Sequence, residues 1–258
     1  MYNNTRRSTS GKVPIRFSNH NIHNDRKGGL EAALQGMSQA NMELGILQET
    51  KLTDVIYTRG SAGYSVIATD AQSQHRGSVT LFYRSEPLFM VEAVEKFGHN
   101  VLGFHLASGA RRWYIVGVYI APEDTETMER VVEAIRRKPR GADLLVAGDF
   151  NANIAAPEGD QRAEEIATDE ATAGLEDMAR HFLPREKRWC RYRRTWGMKM
   201  KGQEVPSRTD YILGMDRRLS RNVTVSDPQH NSDHYMVLGF LPSAPLSETK
   251  RFLGEQKR

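Results

Sequence analysis

Short apolar runs alternate with polar, turn-forming stretches along most of this 258-residue chain. Apolar runs of this length, bounded by turn residues, are typical of strands that are buried in a sheet. The pattern predicts strands at 15–17, 44–47, 66–68, 79–83, 101–106, 113–120, 144–147, 211–213, 223–225 and 235–240. Longer segments with apolar residues three and four positions apart predict helices at 30–44, 125–138 and 163–182.

The spacing of these elements indicates how the sheets are built. The strands at 101–106 and 113–120 flank a short loop that contains Gly109, which predicts a hairpin. A purely parallel sheet would need a helix after nearly every strand, and the chain has too few helices for that. We therefore expect a layered α/β sandwich over 14–242, with two sheets packed face to face and helices outside. Residues 1–13 are predicted to form a flexible polar arm, and 243–258 a charged tail.

Polar side chains stand where several of the apolar strands stop or begin. In the segment VAGDFNANI, Asp149 and Asn151 follow the apolar run directly. The same kind of position is held by Asn21, Glu49, Tyr119, Asp210, Asp233 and His234. Each residue alone has a structural explanation, because strand ends are exposed and polar residues gather there. Together they suit a site at one rim of a layered α/β protein, where ligand sites are common.

The chemistry of this set narrows the metal and the reaction that it could serve. Carboxylates, amides and one histidine, without a Cys/His cluster, favour Mg2+ or Mn2+ over Zn2+. The sequence contains no Walker loop of the kind that binds nucleoside triphosphates. It also contains no G-x-S-x-G elbow, so a serine nucleophile is not expected. Metal-assisted attack of water on phosphorus is the reaction that fits the set best.

Charge and composition indicate which class of partner the protein could bind and where in the cell it is expected. The net charge of +4 is compatible with a polyanionic partner but does not prove one. A basic segment, 185–196, interleaves cations with aromatic residues, as a nucleic-acid surface or equally a solvated loop would. The chain has one cysteine, no apolar signal region and no run of about 20 apolar residues. We expect an intracellular protein with no membrane contact, and no protein partner can be inferred.

Five segments, in order, carry a resemblance to a known family. LGILQET, GVYIAP, AGDFNA, SRTDYILG and NSDHYMV resemble the endonuclease/exonuclease/phosphatase superfamily, over about residues 15–241. HRGSVTLFYR, RTWGM and NSDH are more narrowly similar to the apurinic-type endonuclease domain of non-LTR retrotransposons. The resemblance implies a four-layer sandwich, with two mixed β-sheets flanked by helices, and a divalent-metal phosphodiesterase that uses Mg2+ or Mn2+.

The resemblance also implies a role for each matching residue in the metal site and the attacking water. Glu49 would hold the metal, and Asp233 would assist near it. Asp149 would orient the attacking water or accept its proton, and Asn151 would position that water. Such positioned proton transfer contributes roughly two to four powers of ten in rate.

Further matching residues are implied to act on the phosphate. Asp210 would fix the orientation of His234, which would donate to a phosphate oxygen as charge builds there. Asn21 would contact the scissile phosphate or the metal shell, and Tyr119 would sit beside the same phosphate. A DNA-facing surface is implied for four residues: Thr195, Trp196, Ser207 and Arg208. Trp196 is equally well explained as a core anchor.

Two departures from the superfamily pattern bear on specificity. Repair enzymes carry an acidic residue two places after the matching asparagine, where this chain has His23. They also carry an asparagine three places after the matching tyrosine, where this chain has Pro122. The first departure removes one carboxylate from the metal shell. Both make abasic-site specificity doubtful and favour the retrotransposon branch.

Three functions follow as hypotheses. The first is a metal-dependent DNA endonuclease that nicks one strand, as target-primed retrotransposition requires, and nuclear access is then expected. The second is a phosphatase or RNA exonuclease with the same core motifs. The third is a catalytically idle nucleic-acid-binding remnant of a truncated retroelement, which would bind DNA in a salt-sensitive way without turnover.

Overall fold

The computed structural model describes the greater part of the chain between residues 14 and 243. The described ranges are 14–23, 29–52, 58–59, 61–71, 77–85, 89–122, 124–154, 160–172, 174–183, 191–194, 204–215, 221–226 and 232–243. The predicted arm, 1–13, lies outside these ranges, as does nearly all of the predicted tail. No helix among the described residues has the length and apolarity needed to cross a membrane.

The described residues form fifteen strands and four α-helices. In chain order these are β1 (Ile15–Asn21), α1 (Gly29–Gln39), β2 (Leu44–Gln48), β3 (Thr58–Arg59), β4 (Tyr64–Ala68), β5 (Val79–Arg84), β6 (Met90–Lys96), β7 (Val101–Ser108), β8 (Arg111–Tyr119), α2 (Thr127–Arg136), β9 (Asp143–Asp149), α3 (Gln161–Thr172), β10 (Glu176–Asp177), α4 (Ala179–Phe182), β11 (Arg191–Arg194), β12 (Glu204–Ser207), β13 (Asp210–Gly214), β14 (Arg221–Ser226) and β15 (Met236–Leu241).

The strands form two large sheets and a small ribbon. One sheet has seven strands in the order β14-β15-β1-β2-β5-β4-β3, and the other has six in the order β10-β13-β9-β8-β7-β6. Strands β1 and β2 are parallel, as are β8 and β9, while the other neighbours in the sheets run antiparallel. Strands β11 and β12 pair separately as an antiparallel ribbon. Both large sheets are therefore mixed, as the sequence predicted.

Apolar side chains fill three spaces, which define four layers. Phe17 of the seven-stranded sheet and Ile115 of the six-stranded sheet belong to the core between the sheets. Val146 packs on the opposite face of the six-stranded sheet, in one cluster with Val131 of α2 and with residues of α3. Met37 of α1 belongs to a third cluster, on the outer face of the seven-stranded sheet. The predicted sandwich of two sheets with helices outside is confirmed.

Strand periodicity brings the polar strand ends to one place. Side chains alternate between the two faces of a strand, so every second residue shares a face. Ala147 of β9 lies in the core between the sheets, and Asp149 follows two residues later on the same face. Tyr119 and Asp210 are the register partners of Asp149 on either side. Asn21 ends β1 on the facing sheet, so these residues meet at one end of the sandwich.

The predicted helix 163–182 is wrong. The chain instead forms α3, the short strand β10 and the single turn α4. Gly174 has a φ of 70°, in the left-handed region, which a continuing right-handed helix does not contain. The predicted helix 30–44 also stops early, at Gln39, and Asn41 with a φ of 54° then turns the chain into β2.

Candidate active site

Asn21 joins two acidic residues that stand at the ends of different strands. Its Nδ2 donates to Glu49 Oε1 at 2.9 Å and to Asp149 Oδ2 at 2.8 Å. Tyr119, the register partner of Asp149, also forms a side-chain hydrogen bond with Glu49. These four residues, up to 128 positions apart in sequence, therefore lie together at the end of the sandwich.

A histidine and a second aspartate stand on the other side of Asp149. His234 Nδ1 donates to Asp210 Oδ2 at 2.8 Å, and His234 Nε2 lies 3.9 Å from Asp149 Oδ2. All three side chains are at most 1% exposed, so this pair of carboxylates flanks an imidazole away from solvent. Asp233 differs, because it is 41% exposed, with Oδ1 3.8 Å from His234 Nε2.

Ser232 ties the histidine to β1 and was not among the predicted site residues. Its hydroxyl donates to the Asn21 backbone oxygen at 2.7 Å and accepts from the His234 backbone N–H at 3.0 Å. The short NSDH segment thus fixes the position of the imidazole relative to Asn21. Serine hydroxyls often form local hydrogen bonds with a backbone N–H two positions later. The serine two places before His234 was therefore the signal in the sequence that could have identified this residue.

The turn after β9 fixes the orientation of the Asp149 carboxylate. The Asn151 backbone N–H donates to Asp149 Oδ1 at 2.8 Å, and Asn151 Nδ2 donates to the Ile120 backbone oxygen at 3.1 Å. Asn151 has a φ of 47°, a conformation that asparagine tolerates better than most residues. Gly148 is required before it, because a Cβ there would lie 2.0 Å from the Val118 backbone oxygen.

The surroundings keep Glu49 ionised. Burial alone would raise its pKa, but hydrogen bonds from His23, Asn21 and Tyr119, with the charge of His23, lower the pKa to about 2. The side chain is 13% exposed, so one edge of it still reaches solvent. Glu49 therefore offers a permanent negative charge at the rim of the site.

The surroundings of Asp149 have the opposite effect and raise its pKa. Burial and the neighbouring Asp210 carboxylate raise its pKa from 3.8 to about 6, against the effect of His234 and of hydrogen bonds from Asn21 and Asn151. A carboxylate with a raised pKa is a stronger base than an ordinary aspartate near neutral pH. The site thus holds two acids whose pKa values are separated by their environments, a pattern typical of acid–base assignments.

The donor groups fit a divalent cation. Asp149, Asp210 and His234 each offer one ligand atom, and these atoms lie within 4.8 Å of one another. Asp210 Oδ2 already accepts the His234 hydrogen bond, so this buried trio also forms a chain suited to proton transfer. Glu49, ionised and partly exposed, is a carboxylate that a hydrated cation could reach from solvent, as is the more exposed Asp233. Carboxylate oxygens of this kind suit hard cations.

The residues predicted to face DNA have different outcomes. Thr195 and Trp196 lie outside the described residues. Ser207 ends β12, where its backbone is in register with Arg191 of β11. The ribbon of β11 and β12 carries part of the basic aromatic segment, and it leads directly to β13 and the buried Asp210.

Arg208 is not where a phosphate contact would need it. Its side chain is 4% exposed, and Nη2 donates to Asp177 Oδ1 at 2.6 Å. Its guanidinium also lies 4.6 Å from the centroid of the Tyr211 ring. Arg208 therefore holds β10 and α4 against β13, and the expected exposed cation is instead a buried ion pair.

A buried amide links the two sheets beneath the site, and sequence reasoning missed it. Asn19 Nδ2 donates to the Gly148 and Tyr211 backbone oxygens at 3.2 and 3.4 Å. Gln48 Nε2 in turn donates to Asn19 Oδ1 at 2.6 Å. Asn19 lies two residues before Asn21 on the same face of β1, so the alternation FSNHN was the signal for it.

Comparison with known proteins identifies a family over most of the chain. The sequence model of the endonuclease/exonuclease/phosphatase family matches residues 19–234, which is most of the chain and includes every residue of the site from Asn21 to His234. No curated protein matches the sequence significantly.

Solved structures share the fold at low sequence identity. The endonuclease domain of TRAS1, a telomere-specific non-LTR retrotransposon, has a TM-score of 0.66 at 16% identity, covering 88% of this chain and 98% of its own. The 3′ phosphatase NExo from Neisseria, bound to product DNA hairpin, has a TM-score of 0.67 at 16% identity, covering 88% and 99%. An AP endonuclease from Archaeoglobus fulgidus has a TM-score of 0.66 at 15% identity, covering 88% and 99%.

Proposed function

Because the chain belongs to the endonuclease/exonuclease/phosphatase family, we propose that it is a divalent-metal-dependent DNA endonuclease that nicks one strand by water attack on phosphorus. The observation that carries the proposal is the Asn21 carboxamide, which links the ionised Glu49 to the buried Asp149 beside His234. That arrangement would combine an acid that holds the cation, a base and a proton donor in one place.

Asp149 would accept the proton of the attacking water. Its raised pKa of about 6 makes it a competent base near neutral pH, and its two oxygens are held by Asn21 and by the Asn151 backbone. Asn151, fixed through the Ile120 carbonyl, would help to position the water. A divalent cation held at Glu49, Mg2+ or alternatively Mn2+, would supply Lewis-acid stabilisation of charge on the phosphate.

His234 would donate to a phosphate oxygen as negative charge develops there. Its Nδ1 is engaged by Asp210, which fixes the ring and leaves Nε2 directed at the site. A preorganised donor of this kind stabilises the transition state without reorganisation during the reaction. Asp233, more exposed, would assist near the metal. Tyr119, bonded to Glu49, would lie beside the phosphate.

DNA is the proposed substrate for reasons of charge and likeness. The chain carries a net charge of +4, with a cluster of arginines, lysine and aromatic residues at 185–196. Cations release counterions from phosphates, and aromatic rings stack on bases. The similar structures are named as a retrotransposon endonuclease domain and a phosphatase bound to a DNA hairpin. The proposed nicking activity is the one that retrotransposition requires.

A plasmid assay tests the proposal. Supercoiled plasmid, incubated with the purified chain and Mg2+ or Mn2+, should become nicked circles, and a chelator should stop the reaction. Asp149→Asn removes the base while keeping the side-chain shape, so we expect at least about a hundredfold loss of rate. Asp143→Asn, at the opposite end of the same strand, is the matched control and should keep activity.

Two other outcomes would overturn the nicking function. Intact plasmid with wild type and both variants, together with salt-sensitive DNA binding, would identify a catalytically idle binding protein. Release of phosphate from a 3′-phosphorylated oligonucleotide, shortening of poly(A) or hydrolysis of inositol phosphates, without plasmid nicking, would instead identify a phosphatase or exonuclease of the same family.

A further inference from the structure

His23 is held beside Glu49 by a strained backbone. Its φ of 41° lies in the left-handed region, which histidine visits more readily than most residues but still at a cost. The Asn21 side chain stabilises this conformation, because its Oδ1 accepts the His23 backbone N–H at 2.9 Å. The turn brings His23 Nδ1 to 3.4 Å from Glu49 Oε2.

We infer that His23 is a nitrogen ligand for the cation held at Glu49, and that this pair makes the site prefer Mn2+, Co2+ and Ni2+ to Mg2+. The inference rests on the proposed metal-dependent function and specifies its cation. Two donor atoms that bind one ion at about 2.1 Å lie roughly 3 Å apart, close to the separation of this pair.

The position and chemistry of the pair support the assignment. The His23 side chain is 41% exposed and that of Glu49 is 13% exposed, so the pair opens to solvent and a hydrated ion can reach it. Imidazole suits first-row transition metals, whereas Mg2+ demands oxygen ligands. The histidine within the site, His234, is buried, and its Nδ1 is already engaged by Asp210. Among the residues that the structure describes, His23 is therefore a partly exposed imidazole beside Glu49.

Metal titration of the full-length, tag-free chain tests the inference. Affinities for Mn2+, Ni2+ and Mg2+ are measured by calorimetry on the wild type, His23→Ala and His23→Asp. In His23→Ala we expect Mn2+ and Ni2+ to bind at least about tenfold more weakly, with little change for Mg2+. In His23→Asp, a third oxygen donor should strengthen Mg2+ relative to Ni2+.

A matched control uses a similar pair away from Glu49. His99 Nδ1 lies 3.2 Å from Asp70 Oδ2, and both side chains are about half exposed, at 49% and 47%. His99→Ala should leave the affinity for Mn2+ unchanged. Glu49→Gln should weaken every cation, which would locate the binding event. Circular dichroism and thermal unfolding with a chelator present verify that each variant is folded.

Pulsed electron paramagnetic resonance of bound Mn2+ gives a direct readout of the ligand. The wild type should show coupling to a 14N nucleus, and His23→Ala should lose it. Retained coupling, or unchanged Mn2+ and Ni2+ affinity in His23→Ala, would overturn the inference. Plasmid nicking by the wild type would then still support the proposed function. Conversely, loss of 14N coupling in a chain that never cleaves DNA would leave the metal ligand standing and the nuclease refuted.

Discussion

The negative charge of Asp149 reduces the stability of the fold, because the carboxylate is buried. Its carboxyl group is fully buried, and its pKa is raised from 3.8 to about 6. The stability that it contributes is therefore full below pH 3.8 and is lost as the pH rises through about 6. Asp149→Asn removes the buried charge. Relative to wild type, the variant should gain up to about 3 kcal/mol of unfolding free energy between pH 4 and pH 8, as urea titrations with a chelator present would measure.

An exposed carboxyl group provides the comparison for this pH dependence. Glu129, which is exposed on α2, provides it, and Glu129→Gln is measured in parallel with Asp149→Asn at both pH values. If Asp149→Asn behaved like Glu129→Gln, the charge on Asp149 would have to be compensated in the folded state. The gain in stability should accompany the loss of nicking, because the same buried charge is the base in the proposed reaction.

At the level of single residues, the sequence locates the polar strand ends but not the partners of every side chain. Asn21, Glu49, Asp149 and His234 could be selected because each stands at the boundary of an apolar run. Arg208 stands at a similar boundary, yet its side chain turns inward to an aspartate 31 positions away. Such long-range ion pairs leave no local pattern, so a cation at a strand end cannot be assigned to the surface from sequence.

The pairing of β8 with β9 is the element on which the site depends. This parallel pair sets Tyr119 beside Asp149, and it needs a residue without a Cβ at Gly148. In Gly148→Ala the new Cβ would clash with the Val118 backbone oxygen, which should cost about 1–3 kcal/mol of unfolding free energy. The displaced strand end should also reduce plasmid nicking by about a hundredfold, since small misplacements of catalytic groups are that costly.

Gly141 separates backbone strain from this steric effect. It has a φ of 83° and no atom within 4 Å of a built Cβ. Gly141→Ala should therefore lose only about 1 kcal/mol, through strain, and should keep its nicking activity. Equal losses of activity in the two variants would mean that the register of β8 and β9 does not position Asp149.

The buried strands were predictable from sequence, whereas the edge strands β3, β6 and β10 were not. The edge strand β14 is the exception, because a strand was predicted at 223–225. Strands such as β2 and β9 are apolar throughout, so a short apolar run identifies them. Strand β6 lies at the edge of its sheet and is half-exposed, with polar residues on both faces. Only its first two residues belong to an apolar run, 88–91, so its length was not marked by the pattern. The break between α3 and α4 depends on the left-handed Gly174, a backbone choice that the amphipathic pattern of the segment does not reveal.

For the molecule as a whole, the site depends on how the two sheets are held together. Asn19, from the seven-stranded sheet, donates to backbone oxygens of β9 and β13 in the other sheet. Asn21 makes the next link towards the rim, through Asp149. Buried hydrogen bonds of this kind are costly to break and therefore fix the relative position of the sheets. The same network of hydrogen bonds therefore positions the candidate site and holds the two sheets together.

The cations at 185–196, rather than the net charge of the molecule, should govern how it binds DNA. The basic aromatic segment contains six cations: Arg185, Lys187, Arg188, Arg191, Arg193 and Arg194. A variant with Lys187, Arg188 and Arg191 replaced by serine should bind duplex DNA more weakly at low salt. If all three cations contact phosphate, the slope of log affinity against log salt should fall by about 3, since each contact contributes about 0.9.

A second basic cluster serves as the control for that measurement. The cluster comprises Arg136, Arg137 and Lys138, at the end of α2. Helix α2 starts near the rim that carries Tyr119 and runs back towards the start of β9, so the cluster lies at the other end of the sheet. Serine at these three positions makes the same change in net charge but should leave the salt slope unchanged. Equal slopes for the two triple variants would mean that net charge alone, rather than the segment at 185–196, attracts the DNA.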